Sequence, residues 1–317
     1  MLINQCIEKG VFPDQLKVAR VSAIFKKGEK NLFSNYRPVS ILPALSKIFE
    51  RILHDQLTHY FTSNDLFYGS QYGFRQYHST ELASLEFVDT VMQNLENRKP
   101  YISLFMDLSK AFDCLNHAIP QEKLHYYGIR DNSLKLLVNY LTNRKQYVEL
   151  TANITYTNSS TTPESNDRNP YNESSSENIG KIKSGLGSIN IGVPQGSILG
   201  PLLFLIYIND FSECSSFFTS ILYADDSTFS SSIENNDPNN DFNNRINSEI
   251  SKVCNWLEAN RLSLNVSKTK FMLFNRTLTD IELVINDVKL EQVNTFNFLG
   301  LTINNTLDWS SHLSNIN

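Results

Sequence analysis

The four residues Tyr223-Ala224-Asp225-Asp226 restrict the folds open to this chain more than any other stretch. An apolar run (Ile221, Leu222, Tyr223) leads into two adjacent acids and then a β-prone pair, Thr228 and Phe229, so residues 218–229 read as strand, tight acidic turn, strand. Two carboxylates side by side at a hairpin tip repel each other, and no basic residue close in sequence neutralises them. On these residues alone two readings stand open. One is a solvated turn, where Asp is a favoured residue; the other is a divalent-metal site built from hard oxygen ligands.

The remainder of the chain supplies the context. Its 317 residues suit about two domains, or one domain with subdomains, and a hydrophobic content of 41% is ample for a packed core. The formal net charge of −5 argues by itself against a nucleic-acid binder, yet residues 17–51 hold Lys17, Arg20, Lys26, Lys27, Lys30, Arg37, Lys47 and Arg51 against only Glu29 and Glu50. That is a basic patch on an acidic protein. The four cysteines are scattered without a CxxC pair or a Cys/His cluster, so neither a zinc site nor a disulfide framework is indicated. No apolar run reaches membrane-spanning length and no signal-peptide profile opens the chain, so no membrane partner is expected.

Periodicity places strands over residues 17–25, 101–108, 146–150, 281–290 and 296–303, and an alternating stretch over 263–274. Leu45, Ile48, Phe49, Ile52, Leu53 and Leu57 form a helical stripe expected to face the core. Ser79-Thr80 caps a second helix whose inward face is expected to be Leu82, Leu85, Val88, Met92 and Leu95. Further helices are predicted over 131–144, over 201–211 with Pro201 at the first position, and around Ile246, Ile250, Val253, Trp256 and Leu257. Residues 151–184 are about half Asn, Ser or Thr and read as a disordered insertion or long loop between two strands.

Asp107 ends one buried strand, and Asp225-Asp226 tip a hairpin far downstream. A sheet pairing these strands would gather three carboxylates at one point, a set that suits two metal ions clamping the attacking and leaving oxygens of a phosphoryl displacement. Such chemistry needs charge neutralisation and in-line positioning more than a protein nucleophile. No Ser/His/Asp or Cys/His set competes, because the six histidines are dispersed.

At this point a family resemblance is visible. Phe105-Met106-Asp107-Leu108-Ser109-Lys110-Ala111-Phe112-Asp113 resembles the first catalytic motif of reverse transcriptases, in the form found in non-LTR (LINE-like, jockey/CR1-type) retrotransposons. Gly192-Val193-Pro194-Gln195-Gly196-Ser197-Ile198-Leu199-Gly200-Pro201 is similar to the next motif, Tyr223-Ala224-Asp225-Asp226 to the third, and Arg261-Leu262-Ser263-Leu264-Asn265 with Lys268-Thr269-Lys270 to the fourth. Phe298-Leu299-Gly300 resembles the primer-grip motif; Asn35-Tyr36-Arg37-Pro38-Val39-Ser40 and Tyr72-Gly73-Phe74-Arg75 with Ser79-Thr80 resemble the fingers motifs. Each motif alone is weak; the ordered set, spread over nearly the whole chain, is specific.

The resemblance implies an α+β right-hand polymerase: fingers and palm, a partial thumb, and a palm with a ferredoxin-like antiparallel sheet backed by helices. It implies a fingers region over 1–100, palm over 101–150 and 185–275 interrupted by the 151–184 insertion, and primer-grip strands with the start of a truncated thumb over 276–317. Asp107, Asp225 and Asp226 match the catalytic metal ligands, with two Mg²⁺ ions (or Mn²⁺) as cofactor. Phe112 matches the residue under the incoming sugar, where its bulk opposes a 2′-hydroxyl. Gln195 and Gly196 match the nucleotide pocket, Arg37 the triphosphate, and Lys268 or Lys270 the leaving pyrophosphate, with the register leaving that choice open. Tyr223, Arg75, Lys26, Lys27, Leu299 and Gly300 fall where nucleic acid is expected. The implied partners are an RNA template, a DNA primer or target DNA, and dNTPs, and the implied location is intracellular, in the nucleus or cytoplasm. The rival reading is a truncated retroelement remnant that at most binds RNA, since no nicking domain or complete thumb is apparent.

Overall fold

The computed structural model describes residues 2–154, 178–233, 239–274 and 281–316. In chain order, α1 (Leu2–Lys9) precedes the hairpin of β1 (Val18–Phe25) and β2 (Tyr36–Ile41), then α2 (Ala44–Ser63) and α3 (Thr80–Glu96). Strand β3 (Tyr101–Asp107) leads into α4 (Ala111–Cys114), α5 (Ala118–Tyr126) and α6 (Asp131–Leu141), followed by β4 (Arg144–Ile154), β5 (Asn178–Lys183), β6 (Gly187–Ile189) and α7 (Leu199–Ile208). The hairpin of β7 (Thr219–Tyr223) and β8 (Asp226–Ser232) connects through α8 (Asn239–Ala259) to β9 (Lys270–Phe274). A small hairpin of β10 (Val284–Ile285) and β11 (Val288–Lys289), then β12 (Glu291–Gln292), β13 (Thr295–Phe298), β14 (Leu301–Asn304) and α9 (Ser310–Ile316) follow.

The sheet that positions the site runs β12-β9-β3-β8-β7. β3 lies antiparallel between β8 and β9, and β7 pairs antiparallel with β8. Those four strands and the helices between them form the split β-α-β arrangement of a ferredoxin-like palm. β3 is buried on both faces from Tyr101 to Met106, which explains its continuous apolar sequence. Its alternation divides the interior: Ile102, Leu104 and Met106 join the main core with α2, α7 and α8, whereas Tyr101 and Phe105 join a second cluster with Phe87, Val91 and Phe298. A second five-stranded sheet runs β2-β1-β4-β5, with β6 also on β4, and β2 carries Pro38 at a sheet edge, where a missing N–H is tolerated.

Several expectations change in the folded chain. On α3 the inward residues are Ala83, Ser84, Phe87 and Val91, while Leu82, Leu85 and Met92 are exposed. The Phe87 ring decides this rotation: it packs against Phe298 at 4.7 Å and Phe105 at 5.9 Å between centroids, and the small Ala83 and Ser84 let the helix approach. On α2, Phe49, Leu53, Leu57 and Phe61 face inward at four-residue spacing, and Leu45 and Ile48 are exposed. Helix α7 begins at Leu199, two residues before Pro201, because the buried Glu50 carboxylate accepts hydrogen bonds from Ile198 N (2.7 Å) and Leu199 N (3.3 Å) and caps it. All its residues except Pro201 are buried. The alternating 263–274 stretch is a strand only from Lys270, and the two predicted strands at 281–290 and 296–303 are each hairpins.

The predicted insertion is narrower than 151–184. β4 extends to Ile154 and pairs with β5 from Glu149↔Lys183 to Ile154↔Asn178; the interior of that stretch lies outside the described residues. The basic patch is also partly spent internally. Lys17 is buried and bound to Asp14 (2.8 Å) and Asn139 (3.1 Å), and Arg20 pairs with Glu149 (2.6 Å).

Candidate active site

The register of the palm sheet assembles the acids. Asp107, the last residue of β3, stands directly opposite Asp226, the first residue of β8. Tyr223 pairs with Asp226, so Ala224-Asp225 is a two-residue hairpin loop. Ala224 takes φ +56° there, a left-handed position that glycine fills without strain and that alanine holds only when its surroundings enforce it. One such neighbour is Gly73: a Cβ on it would lie 2.3 Å from Ala224 N, so only glycine lets the two backbones meet. The end of β3 is held from the other side, where Asn265 N donates to the Asp107 carbonyl (2.8 Å) and Ser109 N to the Ser263 carbonyl (2.8 Å).

Asp107 and Asp225 face an open cleft of about 970 Å³. Arg37, Lys26, Phe112, Gln195, Gly196 and Lys268 line the same cleft, so the fold brings together eight of the residues singled out from sequence, six of them from outside the acidic pair. Phe112 packs on Phe204 at 4.5 Å and meets Phe74 edge-on at 6.1 Å, which fixes its ring at the cleft floor. Gln195 donates through Nε2 to Asp113 (2.9 Å), and its carbonyl accepts from Ser40 N (2.6 Å). Gly196 has φ +114°, and a Cβ on it would lie 2.7 Å from the Ser40 carbonyl. Gln195 and Gly196 are therefore braced by strand β2 and by the Asp107–Asp113 motif together. Asp113, which accepts from Gln195, and Glu50, which caps α7 just beyond Gly196, carry no role in the sequence reading; Asp113 lies inside a quoted motif, and Glu50 gave no signal beyond an acid on an apolar helix.

The other predicted residues lie elsewhere. Asp226 keeps part of its surface in solvent and does not line the cleft. Tyr223 packs, half-buried, against the second core cluster. Lys27 sits in the exposed turn after β1. Arg75, placed on nucleic acid by the resemblance, uses its guanidinium internally: Nη1 donates to the carbonyls of Tyr68 (2.8 Å) and Gln71 (3.0 Å), and the group lies 5.2 Å over the Phe67 ring. Leu299 and Gly300, both at positive φ, form the two-residue turn between β13 and β14 and border a separate groove with Leu85, Val88 and Trp309.

The electrostatics favour a bound cation. Burial of its carboxyl, reinforced by Asp225 and Asp107, pushes Asp226 up to about 6. Burial and then Asp107 raise Asp225, opposed by Arg37 and Lys268. Lys268 Nζ reaches Asp107 Oδ2 at 3.2 Å but is itself largely exposed, so it only partly offsets the repulsion. Among the described residues no three Asp, Glu, His or Cys side chains are gathered closely enough to cage a metal alone. Hard, under-compensated carboxylates at an open cleft fit a divalent ion that completes its shell from backbone, substrate or water.

A stability measurement follows from these shifts. A carboxyl raised in the folded state binds a proton more tightly than in the unfolded chain, so its contribution to stability falls as pH rises through the carboxylate range to about 6. Metal-free Asp226→Asn is expected to melt higher than wild type at pH 7.5, with the difference narrowing as pH falls through about 6 and vanishing below 3.8; a difference that does not change with pH would refute it.

A family model described as "Reverse transcriptase (RNA-dependent DNA polymerase)" matches residues 24–303. The chain belongs to the reverse transcriptase family. A probable RNA-directed DNA polymerase from transposon X-element of Drosophila melanogaster is 27% identical over 100% of this chain and 32% of the relative. The RNA-directed DNA polymerase from mobile element jockey of the same fly is 26% identical over 100% of this chain and 32% of its own length. This reverse transcriptase chain thus spans about a third of the curated relatives it matches. A telomerase structure from Candida tropicalis, in complex with a fragment of telomeric RNA, superposes with a TM-score of 0.57 over 95% of this chain and 46% of that one at 14% identity, a likeness of fold. Reverse transcriptases use divalent metal ions, in keeping with the charge at Asp107 and Asp225. No helix among the described residues is long and apolar enough to cross a membrane.

Proposed function

We propose that this chain is the catalytic module of an RNA-directed DNA polymerase that extends a primer 3′-hydroxyl with dNTPs during retrotransposition. The observation that carries the reading is the union, in one cleft, of Asp107 and Asp225 with the braced Phe112, Gln195 and Gly196. Two Mg²⁺ ions, with Mn²⁺ as substitute, held by Asp107 and Asp225 with Asp226 as the third carboxylate, would supply activation of the 3′-hydroxyl and neutralisation of the leaving pyrophosphate. The protein's own groups orient the nucleotide. Arg37, exposed on β2 and close enough to bias Asp225, meets the triphosphate, and Lys268 stands beside Asp107 on the pyrophosphate side. Gln195 and Gly196 present backbone and amide to the base and sugar. Lys26 and Lys27 flank the template entry, and Tyr223, Leu299 and Gly300 face the primer side. We propose that this work takes place inside the cell, in the nucleus or cytoplasm.

Primer extension on poly(rA)/oligo(dT) with Mg²⁺ tests the reading: wild type extends, and RNA binding without extension in Mg²⁺ or Mn²⁺ would favour a non-catalytic binding module. Phe112 gives a sharper measurement. Its ring opposes a 2′-hydroxyl, so Phe112→Ala is expected to raise rNTP use relative to dNTP by roughly 10- to 200-fold, the range a methylene-scale pocket change supports. Unchanged sugar selectivity would remove Phe112 as the gate.

A further inference from the structure

We infer that Gln71 is the positioning residue for the catalytic turn: its side-chain oxygen holds the Ala224-Asp225 loop in the conformation that presents Asp225 to the cleft. The inference rests on the polymerase reading for its consequence, and on geometry for its substance.

Residues 70–73 lie along the outer edge of β7. Leu222 N donates to the Ser70 carbonyl (2.8 Å), Tyr72 N donates to the Leu222 carbonyl (2.7 Å), and Gln71 pairs with Leu222 in a parallel bridge. The segment closes the sheet edge next to the acids. From that edge the Gln71 side chain, fully buried, turns towards the hairpin tip. Its Oε1 accepts from Gly73 N (2.8 Å) and from Ala224 N (3.3 Å). Ala224 is the residue held at positive φ, and its N–H is one of the two that a two-residue loop leaves outside the ladder. Among the described residues Gln71 Nε2 has no partner, so the amide is retained in the interior for its oxygen at the cost of an unmatched donor. The strap is itself anchored: Arg75 grips the Gln71 carbonyl, and the Tyr72 hydroxyl donates to Glu86 on α3. Gly73 completes the fit, since any Cβ there would displace Ala224.

The test compares Gln71→Met, which keeps the length and loses the acceptor, with Gln71→Glu, which restores an oxygen at the same place. Ser103→Ala serves as control, because it removes a buried 2.9 Å hydrogen bond from Ser230 in the same sheet without touching the turn. Hydrogen exchange of a peptide spanning residues 222–226 reads the contact without any need for activity. Exchange in Gln71→Met is expected to be about tenfold faster than in wild type, in line with loss of one buried hydrogen bond, with Gln71→Glu and Ser103→Ala staying within about threefold. Mn²⁺ binding followed by electron paramagnetic resonance is expected to weaken about tenfold in Gln71→Met alone, and kcat to fall with little change in the KM for dTTP. Wild-type exchange protection in Gln71→Met, or an equal loss in Ser103→Ala, would overturn the assignment. Absence of Mn²⁺ binding in wild type would count against the polymerase reading instead, and the exchange result would still decide the role of Gln71.

Discussion

Asp225→Asn is expected to lower primer extension by about 10³-fold or more, on the order of 4 kcal/mol of transition-state stabilisation, while leaving the fold intact. The substitution keeps the shape of the side chain and its place in the hairpin loop, and removes the one carboxylate of the turn that lines the cleft. Asp225 is raised chiefly by burial and then by Asp107, so replacing it also relieves a repulsion. The metal-free variant should therefore melt at or above the wild-type temperature at neutral pH while being inactive, the combination expected where function is held at a cost in stability. Extension rates and melting curves on the same preparations check both halves. Activity within tenfold of wild type would remove Asp225 from the catalytic set; a large fall in melting temperature would show a structural role instead. Asp226→Asn provides the contrast, since its side chain does not line the cleft, and a smaller loss is expected there.

Gly196→Ala is the second large effect. The residue sits at φ +114°, a region essentially reserved for glycine, and an added Cβ would lie 2.7 Å from the Ser40 carbonyl. Backbone strain of this kind costs about 1–3 kcal/mol by itself, and the clash must move either β2 or the loop. Because Gln195 is bound to Ser40 through its carbonyl and to Asp113 through its amide, the displacement enters the proposed nucleotide pocket. The expected outcome is a lower melting temperature together with a dNTP KM raised by about tenfold or more, read by steady-state kinetics across dTTP concentrations. Gly300→Ala is the natural comparison: it also holds positive φ but has open space around its Cβ position, so it should lose stability without a comparable change in KM.

Much of the fold was legible because its signals are local. β3 shows itself as an uninterrupted apolar run, the β7–β8 hairpin as two β-prone runs around adjacent acids, and the start of α3 as a Ser79 side chain that does accept from Leu82 N at 3.3 Å. Faces were less legible than elements. α3 carries apolar residues on two sides, and periodicity cannot say which side meets Phe298, a residue more than two hundred positions away. Strand ends were equally hard to place: polar sequence at residues 151–154 and 178–183 lacks the apolar alternation of a half-buried strand, yet the backbones pair.

The candidate site divides along the same line. From the sequence alone came the chemistry: three carboxylates, an aromatic, a Gln-Gly pair and a basic residue in a particular order, whose chemical types do not depend on coordinates. What only the tertiary structure decided was how each group is used. It set Asp225 rather than Asp226 against the cleft, turned Arg75 inward onto carbonyls, put Glu50 at the start of α7, and laid Gln71 against the catalytic turn. These contacts join residues up to about 150 positions apart. A hydrogen bond is made or missed over tenths of an ångström, so such assignments depend on packing that no local pattern encodes.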